Sequence, residues 1–438
     1  MEEIKMGFDI KEYAKGIVKN MRIGQKPNPN IGRARDRHGA LVDKLLSKKE
    51  HKLADFTETE QAALTELMGL EYGPLAYQKG DKILSKPVVG ETVRVKYTED
   101  EKCVQIAKLV QAECWKLGAH ASIQPVSDAD EKRELQLSKE EALVELPPLS
   151  EAIAENIDAT IFIGYDQDPY WSSGLEDRLL LTSNAGMRMH EILDERKVRW
   201  CLAGYPAEMK KGTYEIPKND YERIFLASIN ETFSGEVKRL CDYYRKSLEG
   251  GDIVRIKAED GTDISFSIKG RPILVADGVI DDKDMESGDV GLNIPDGEVF
   301  LAPLEHSANG NILFDYISIS GMGLVKDIRL TFKDGQVVSW KGDKKSEATF
   351  KKFLDSNTGE KDRIAELGIG TNPKARFTGA TLIDEKIFGS IHIAIGNNQG
   401  AYHGNNKASS HQDMIKLMHK GTMSVDGKEV MVKGKPIK

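Results

Sequence analysis

The feature that most constrains this chain is the alternation of short β-type runs with amphipathic helical stretches from residue 91 to about residue 220. "ETVRVKY" reads as a strand, "CVQIAKLVQAECWKLG" as an amphipathic helix closed by glycine, and "HASIQPV" as a second strand. A charged helical stretch follows, then the strands "ATIFIGY" and "RWCLAGYP" with the helix "NAGMRMHEILDER" between them. Strands separated by helix-length segments do not pair as tight hairpins; they pack side by side as a parallel sheet with helices on its faces. The expectation is a doubly wound α/β domain over residues 91–248. Neither GxGxxG nor GxxxxGK[ST] follows any of these strands, so a nucleotide is not indicated. The loop "YDQDPYWSSG" lies past a strand's carboxyl end, where such sheets bind ligands, although a packed loop is the simpler reading.

The texture changes further on. "NDYERIFLASINETFSGEVKRLCDYYRKSLEG" reads as one long helix leading out of the α/β domain. "DIVRIKAEDGTDISFSI" and "DIRLTFKDGQVVSW" are strand pairs turning at Asp260-Gly261 and Asp334-Gly335, and Asp-Gly between alternating runs is a strong hairpin signal. Residues 249–438 therefore read as a β-rich α+β domain. Before residue 91, "FDIKEYAKGIVKNM", "ARDRHGALVDKLLSKK" and "TEQAALTELMGL" carry helical apolar spacing, and "GQKPNPNIG" breaks the first from the second. Residues 1–90 are thus expected to form a helical extension, with His38 and His51 as solvated helix residues. The fold class is α/β plus α+β: a doubly wound parallel-sheet domain, then a β-rich metal-binding domain, with an N-terminal helical extension.

Composition closes off several functions. A net charge of −8 over 438 residues leaves no general basic surface for nucleic acid or for anionic lipid. No apolar run approaches membrane-spanning length, and "MEEIKMGFDIKEYAKG" has no apolar signal region. Cys103, Cys114, Cys201 and Cys241 form no CxxC pair, which fits a reduced, cytoplasmic chain with core thiols.

The chemistry concentrates in the β-rich domain. His392 sits in "SIHIAIG", an apolar strand pattern in which an imidazole stands out. His411 and Asp413 are two apart in "HQD", so on an extended segment they point to one side and can reach one metal ion. Glu298 in "NIPDGEVFLAP" and Glu366 in "AELGIGTNP" bring the set to two histidines and three carboxylates. That is a suitable donor number for two divalent ions sharing a carboxylate, and mixed N/O donors suit Zn, Co, Mn or Fe. Each residue also has a plain reading. Glu298 could point to water after the "PDG" turn, Glu366 could be a helix residue or cap, and His392 could be a satisfied core histidine. No compact ligand motif such as HExxH decides between the two.

"GTDISF", "NIPDGEVFLAP", "ELGIGTNP", "HIAIG" and "HQD" together resemble the aminopeptidase T family of metallopeptidases, which includes the aminopeptidase S relatives. "VGETVRVKY", "CVQIAKLVQAECWKLGA" and "DATIFIGY" resemble that family's N-terminal α/β domain, so the likeness runs over roughly residues 90–438. The resemblance implies a two-metal centre held by Glu298, Glu366, His392, His411 and Asp413, with Glu366 as the metal-associated general base. It also implies removal of an N-terminal residue from a peptide substrate, an enclosed site between domains, and a homodimer. One departure stands out. The family's tyrosine, seven residues after the "HIAIG" histidine, is thought to stabilise the oxyanion; here the position is Gln399. Tyr402 and His403, just downstream, are the groups that could replace it, or are plain loop residues.

"ELGIGTNP", "EKIFGSIHIAIGNN" and "HQD" also resemble the 2,5-dihydroxypyridine dioxygenases, a branch of the same fold. That alternative implies one Fe(II) held by Glu366, His411 and Asp413, with open positions for O₂ and a ring substrate. A third alternative is a non-catalytic scaffold that keeps the peptidase fold and its metal for stability.

Overall fold

In the parallel sheet, Val93 and Val95 face the core while their neighbours face outward, so Thr92–Thr98 is half-buried and pleated as its alternation predicts. The computed structural model describes residues 8–69, 75–165, 168, 170–207 and 215–437. Leu70, at the end of the third N-terminal helical pattern, and Asp166, Gln167 and Pro169 of the "YDQDPYWSSG" loop lie outside the described residues.

Helix Glu101–Lys116 follows the first strand. The Asp100 side chain caps it by accepting from the amides of Lys102 and Cys103, and Cys103, Ile106, Ala107, Val110 and Cys114 form its buried stripe. Strands His120–Val126, Ala159–Ile163 and Arg199–Ala203 join Thr92–Thr98 in parallel, as expected. The sheet has a fifth strand, Gly291–Ile294, parallel to Arg199–Ala203. Numbered along the chain, its order is 2-1-3-4-5, a doubly wound arrangement. The fifth strand comes from a stretch that the sequence reading gave to the β-rich domain. Its four residues are too short to signal a parallel edge, and only the tertiary pairing reveals it.

The expected single long helix is two helices, Lys218–Thr232 and Gly235–Leu248. Ser234 breaks the run: it is extended, and its hydroxyl accepts from the Glu236 amide to cap the second helix. The extension also differs from an all-helical one. Helices Ile10–Asn20, Ile31–Leu46 and Glu58–Met68 form, but Glu50–Lys52, Ala76–Lys79 and Lys82–Ser85 make a small antiparallel sheet beside them. His51 lies on one of these strands, buried, with its Nε2 3.0 Å from the Leu45 carbonyl, and is not a solvated helix residue. Helix Ile10–Asn20 buries Tyr13, Ala14, Ile17 and Val18 in the same core as the parallel sheet, and the Tyr13 hydroxyl donates to the Gly204 carbonyl at 2.7 Å. The rest of the extension has its own small core around Leu41, Leu45, Leu64 and Leu67.

The C-terminal part is a curled, mostly antiparallel sheet of thirteen strands among the described residues. Both Asp-Gly hairpins form where expected, as Ile253–Ala258 with Asp263–Ser267 and Gly323–Lys333 with Gln336–Lys341. Four consecutive strands carry the interest: Glu298–Leu301, Ile364–Gly370, Ser390–Gly396 and His411–Leu417. "SGMG" is the turn between Asn309–Ile319 and Gly323–Lys333, and Tyr170 and Ser172 of "YDQDPYWSSG" pack against Gly323 and Gly321. All four cysteines are free and buried. No described helix is long and apolar enough to cross a membrane.

Candidate metal centre

The register of those four strands decides which residues share a face. Glu298 is opposite Gly370, Gly368 opposite His392, Glu366 opposite Ala394, Ala394 opposite Asp413, and Gly396 opposite His411. Alternation then sets Glu366, Gly368 and Gly370 on one side of their strand, with His392 and Ala394 and with His411 and Asp413 on the same side of theirs. The two glycines in "ELGIG" leave room for what the neighbouring strands present. A Cβ on Gly368 would come within 1.9 Å of His392 Nε2.

All five predicted metal-binding residues converge here. Glu298, Glu366 and His392 form one group whose donor atoms lie within 4.8 Å of one another, and Glu366, His411 and Asp413 form a second. Glu366 joins them: its Oε1 is 3.0 Å from His392 Nε2 and its Oε2 is 2.9 Å from His411 Nε2. His392 Nε2 is also 3.4 Å from Glu298 Oε2 and 3.9 Å from Asp413 Oδ1. The plain alternatives therefore fail for two residues: Glu298 opens a strand and is buried, and Glu366 is a buried strand residue, neither a helix residue nor a cap.

The electrostatics show what the cluster wants. Burial opposes ionisation of Glu366, but hydrogen bonds from His392 and His411 hold its carboxyl well below the usual range. Asp413 is likewise lowered, burial being outweighed by its bond to His411. Burial disfavours a charged His392, yet the bond to Glu366 and the fields of Glu366, Asp413 and Glu298 raise it to about 9. His411 is raised in the same way by Asp413 and Glu366. The carboxylates thus favour positive charge on the two histidines.

A divalent ion fits this donor set. Buried Glu298 Oε2 has no hydrogen-bond partner, although a buried carboxylate oxygen is costly to leave bare. His392 Nε2 lies among the carboxylates and is the ring atom placed as a ligand, and its buried Nδ1 has no hydrogen-bond partner. Mixed oxygen and imidazole donors suit a divalent ion such as Zn, Co, Mn or Fe.

The two candidate oxyanion groups separate clearly. Tyr402 closes the short 3₁₀ turn Gly400–Tyr402, and its hydroxyl donates to Glu366 Oε2 at 2.8 Å. Its ring packs 5.5 Å from that of Phe300 and 5.7 Å from that of His411. Burial, then the nearby carboxylates Glu366 and Asp413, raise the phenol well above its ordinary value and keep it a proton donor. His403 follows in a left-handed conformation, is exposed, and does not join the cluster; its backbone carbonyl instead accepts from Arg271. Gln399, at the family tyrosine's position, is exposed.

The loop carrying Tyr402 is held by its own asparagines, which explains its polar composition. Asn398 Oδ1 accepts from the Asn406 amide at 2.8 Å, and Asn398 Nδ2 donates to Glu305 at 3.2 Å. Glu305 also accepts from the Asn405 amide at 2.7 Å and from Arg271 at 2.5 Å.

A cleft of about 500 Å³ between the two domains touches the cluster at His411. Met187, His190 and Asp194 line it from helix Glu176–Glu195, and Asn397, Gln399 and His411 from the β-rich side. The Lys407–Glu191 ion pair, at 2.7 Å, spans its rim. The His411 side chain is 28 % exposed to this cleft, whereas that of His392 is 1 % exposed.

Lys386 is the residue that sequence reasoning missed. It follows the turn Thr381–Asp384, and its carbonyl accepts from the Asn372 amide at 2.8 Å. Its Nζ is fully buried, bonded to Glu298 Oε1, 2.7 Å from Glu385 and 3.8 Å from Asp296. The only signal was a lysine in "DEKIFG", just ahead of an apolar strand.

Residues 235–435 match the family model described as thermophilic metalloprotease (M29). That match to the C-terminal part of the chain bears out the likeness to the aminopeptidase T family read from the sequence. Among solved structures, wild-type AmpT from Thermus thermophilus is similar at a TM-score of 0.61 and 20% identity, covering 86% of this chain and 98% of that one. The 2,5-dihydroxypyridine dioxygenase from Pseudomonas putida KT2440 is similar at a TM-score of 0.50 and 16% identity, covering 79% of this chain and 92% of that one. At these identities both likenesses speak for the fold alone. No curated protein sequence matches the chain.

Proposed function

We propose that this protein is a metal-dependent aminopeptidase that removes N-terminal residues from peptides, with two divalent ions held by Glu298, Glu366, His392, His411 and Asp413. The observation that carries the reading is the pair of donor groups joined through Glu366, one oxygen towards each histidine. Bound there, the ions would polarise the scissile carbonyl, hold the free amine and acidify the attacking water.

The chain's own groups do the rest. The cleft between the domains admits the peptide terminus and shields it from bulk water. Glu366, shared by both groups, is the metal-associated base that takes the water's proton and returns it to the departing amine nitrogen as the C–N bond breaks. Tyr402, a neutral phenol 2.8 Å from Glu366, donates a hydrogen bond to the oxyanion that forms on the scissile carbonyl. It does so from a position ten residues after His392, in place of the missing tyrosine at Gln399.

One specific observation favours a second reading. Glu366, His411 and Asp413 form a complete group by themselves, enough for the single Fe(II) of a ring-cleaving dioxygenase. The placement of Glu298 and His392 in the same cluster favours the two-ion reading over it.

The test is to strip the protein, reload it with Zn, Co or Mn, count ions per chain, and assay a panel of aminoacyl anilides. Two ions per chain and hydrolysis abolished by a chelator are expected. One tightly held iron with O₂-dependent cleavage of a dihydroxypyridine would replace the peptidase reading with the dioxygenase one.

A further inference from the structure

We propose that Lys386 is a positioning residue for the metal centre: by holding Glu298 Oε1 it leaves Oε2 as a single-oxygen ligand to the buried ion. The proposal rests on the two-ion reading above.

Three features support it. Lys386 Nζ is fully buried and bonds Glu298 Oε1, the oxygen turned away from the histidine. The other oxygen, Oε2, has no hydrogen-bond partner and lies 3.4 Å from His392 Nε2. Glu298 thus has one oxygen bonded to the lysine and the other without a hydrogen-bond partner, and the second faces the cluster. An ammonium on Oε1 biases the carboxylate towards binding the ion through Oε2 alone.

Lys386 Nζ also lies 2.7 Å from Glu385 and 3.8 Å from Asp296. Neither of these belongs to a metal-binding group. The contact to Glu298 is the one that reaches the centre, and it acts on a ligand oxygen. Outer partners of this kind orient ligands and tune affinity, typically by about ten- to a hundredfold.

The lysine's placement is built into the fold. The bond from the Asn372 amide to the Lys386 carbonyl ties its turn to the "TNP" segment that ends the Glu366 strand. Asn372 also donates to the Asp296 carbonyl at 2.8 Å, just before Glu298. One asparagine therefore sets the distance between the lysine and the carboxylate it holds.

The experiment compares wild-type protein with Lys386→Met and Lys386→Gln. Zinc and cobalt affinities would be measured by competition with a chromophoric chelator, with the visible spectrum of the cobalt form and kcat and KM recorded alongside. The expected result is two ions per wild-type chain and one of them weakened about ten- to a hundredfold in Lys386→Met. Lys386→Gln, which keeps a donor for Oε1, should lose less. A purely structural lysine would lower the melting temperature and leave both affinities and the cobalt spectrum of the folded protein unchanged; that result overturns the proposal. A crystal structure of metal-loaded wild-type protein tests the same point independently of how the variants fold. Glu298 bound through Oε2 with Lys386 on Oε1 supports the proposal, and two-oxygen binding overturns it. Failure of the two-ion reading would show separately, as wild-type protein that binds one ion or none.

Discussion

The imidazole of His392 occupies the space that a side chain on Gly368 would need: a Cβ there would stand 1.9 Å from Nε2. The two residues face each other across adjacent strands, so the glycine in "ELGIG" is a condition for the histidine's position. Gly368→Ala should displace the ring from Glu366 and cost about 1–3 kcal/mol of stability through overpacking. The buried ion should be lost with it. Thermal unfolding and metal content measure the two effects, and a variant with wild-type values of both would refute the packing argument.

His411 faces the cleft, whereas His392 is sealed inside. His411→Ala should remove one of two ions and lower kcat by more than about a hundredfold, since ligand loss exceeds the usual effect of a supporting residue. The fold should survive, because the side chain is partly exposed and packs little. Elemental analysis with steady-state kinetics decides it; unchanged metal content and turnover would remove His411 from the centre.

Tyr402→Phe keeps the ring against Phe300 and His411 but deletes the donor to Glu366. Loss of one oxyanion donor typically lowers kcat by about a hundredfold or more, with little change in KM. Adding Gln399→Tyr should restore part of that loss by returning a phenol to the family's position. If Tyr402→Phe turns over peptides at the wild-type rate, the hydroxyl has no part in the reaction.

The metal-free protein should weaken as the pH rises. The folded value for His392, about 9, stands above its ordinary 6.5, so its proton stabilises the folded chain fully below about pH 6.5. That contribution disappears as the pH climbs through about 9. His411, raised in the same direction, adds to the trend. Bound ions replace these protons, so loading should release them and flatten the dependence. Melting curves of stripped and loaded protein between pH 6 and 10, with calorimetry in two buffers of different ionisation enthalpy, provide the check. A stripped protein equally stable across that range would contradict the picture.

Local pattern carried much of the architecture. The alternation from residue 91 onward determined four of the five parallel strands, and Asp260-Gly261 and Asp334-Gly335 determined two hairpins, because both signals arise between neighbours in the chain. The two-residue spacing of His411 and Asp413 likewise put them on one face of a strand. The break at Ser234, the small sheet around His51 and the strand Gly291–Ile294 escaped because short elements leave weak periodicity and are settled by their partners.

The five proposed metal ligands were legible as types and, through family likeness, as a set. Their meeting was not, for it depends on strand order. Residues 298, 366, 392 and 411 open or occupy four consecutive strands whose register alone brings their side chains together. The same holds for the choice of Tyr402 over His403, set by a left-handed turn at His403, and for Lys386, which reaches Glu298 across 88 residues of chain. The sequence by itself determined the longer elements and which chemical groups are present, since propensity and period are local. Tertiary structure decided which of those groups touch, since a buried charge finds its partner only once the sheet has closed around it.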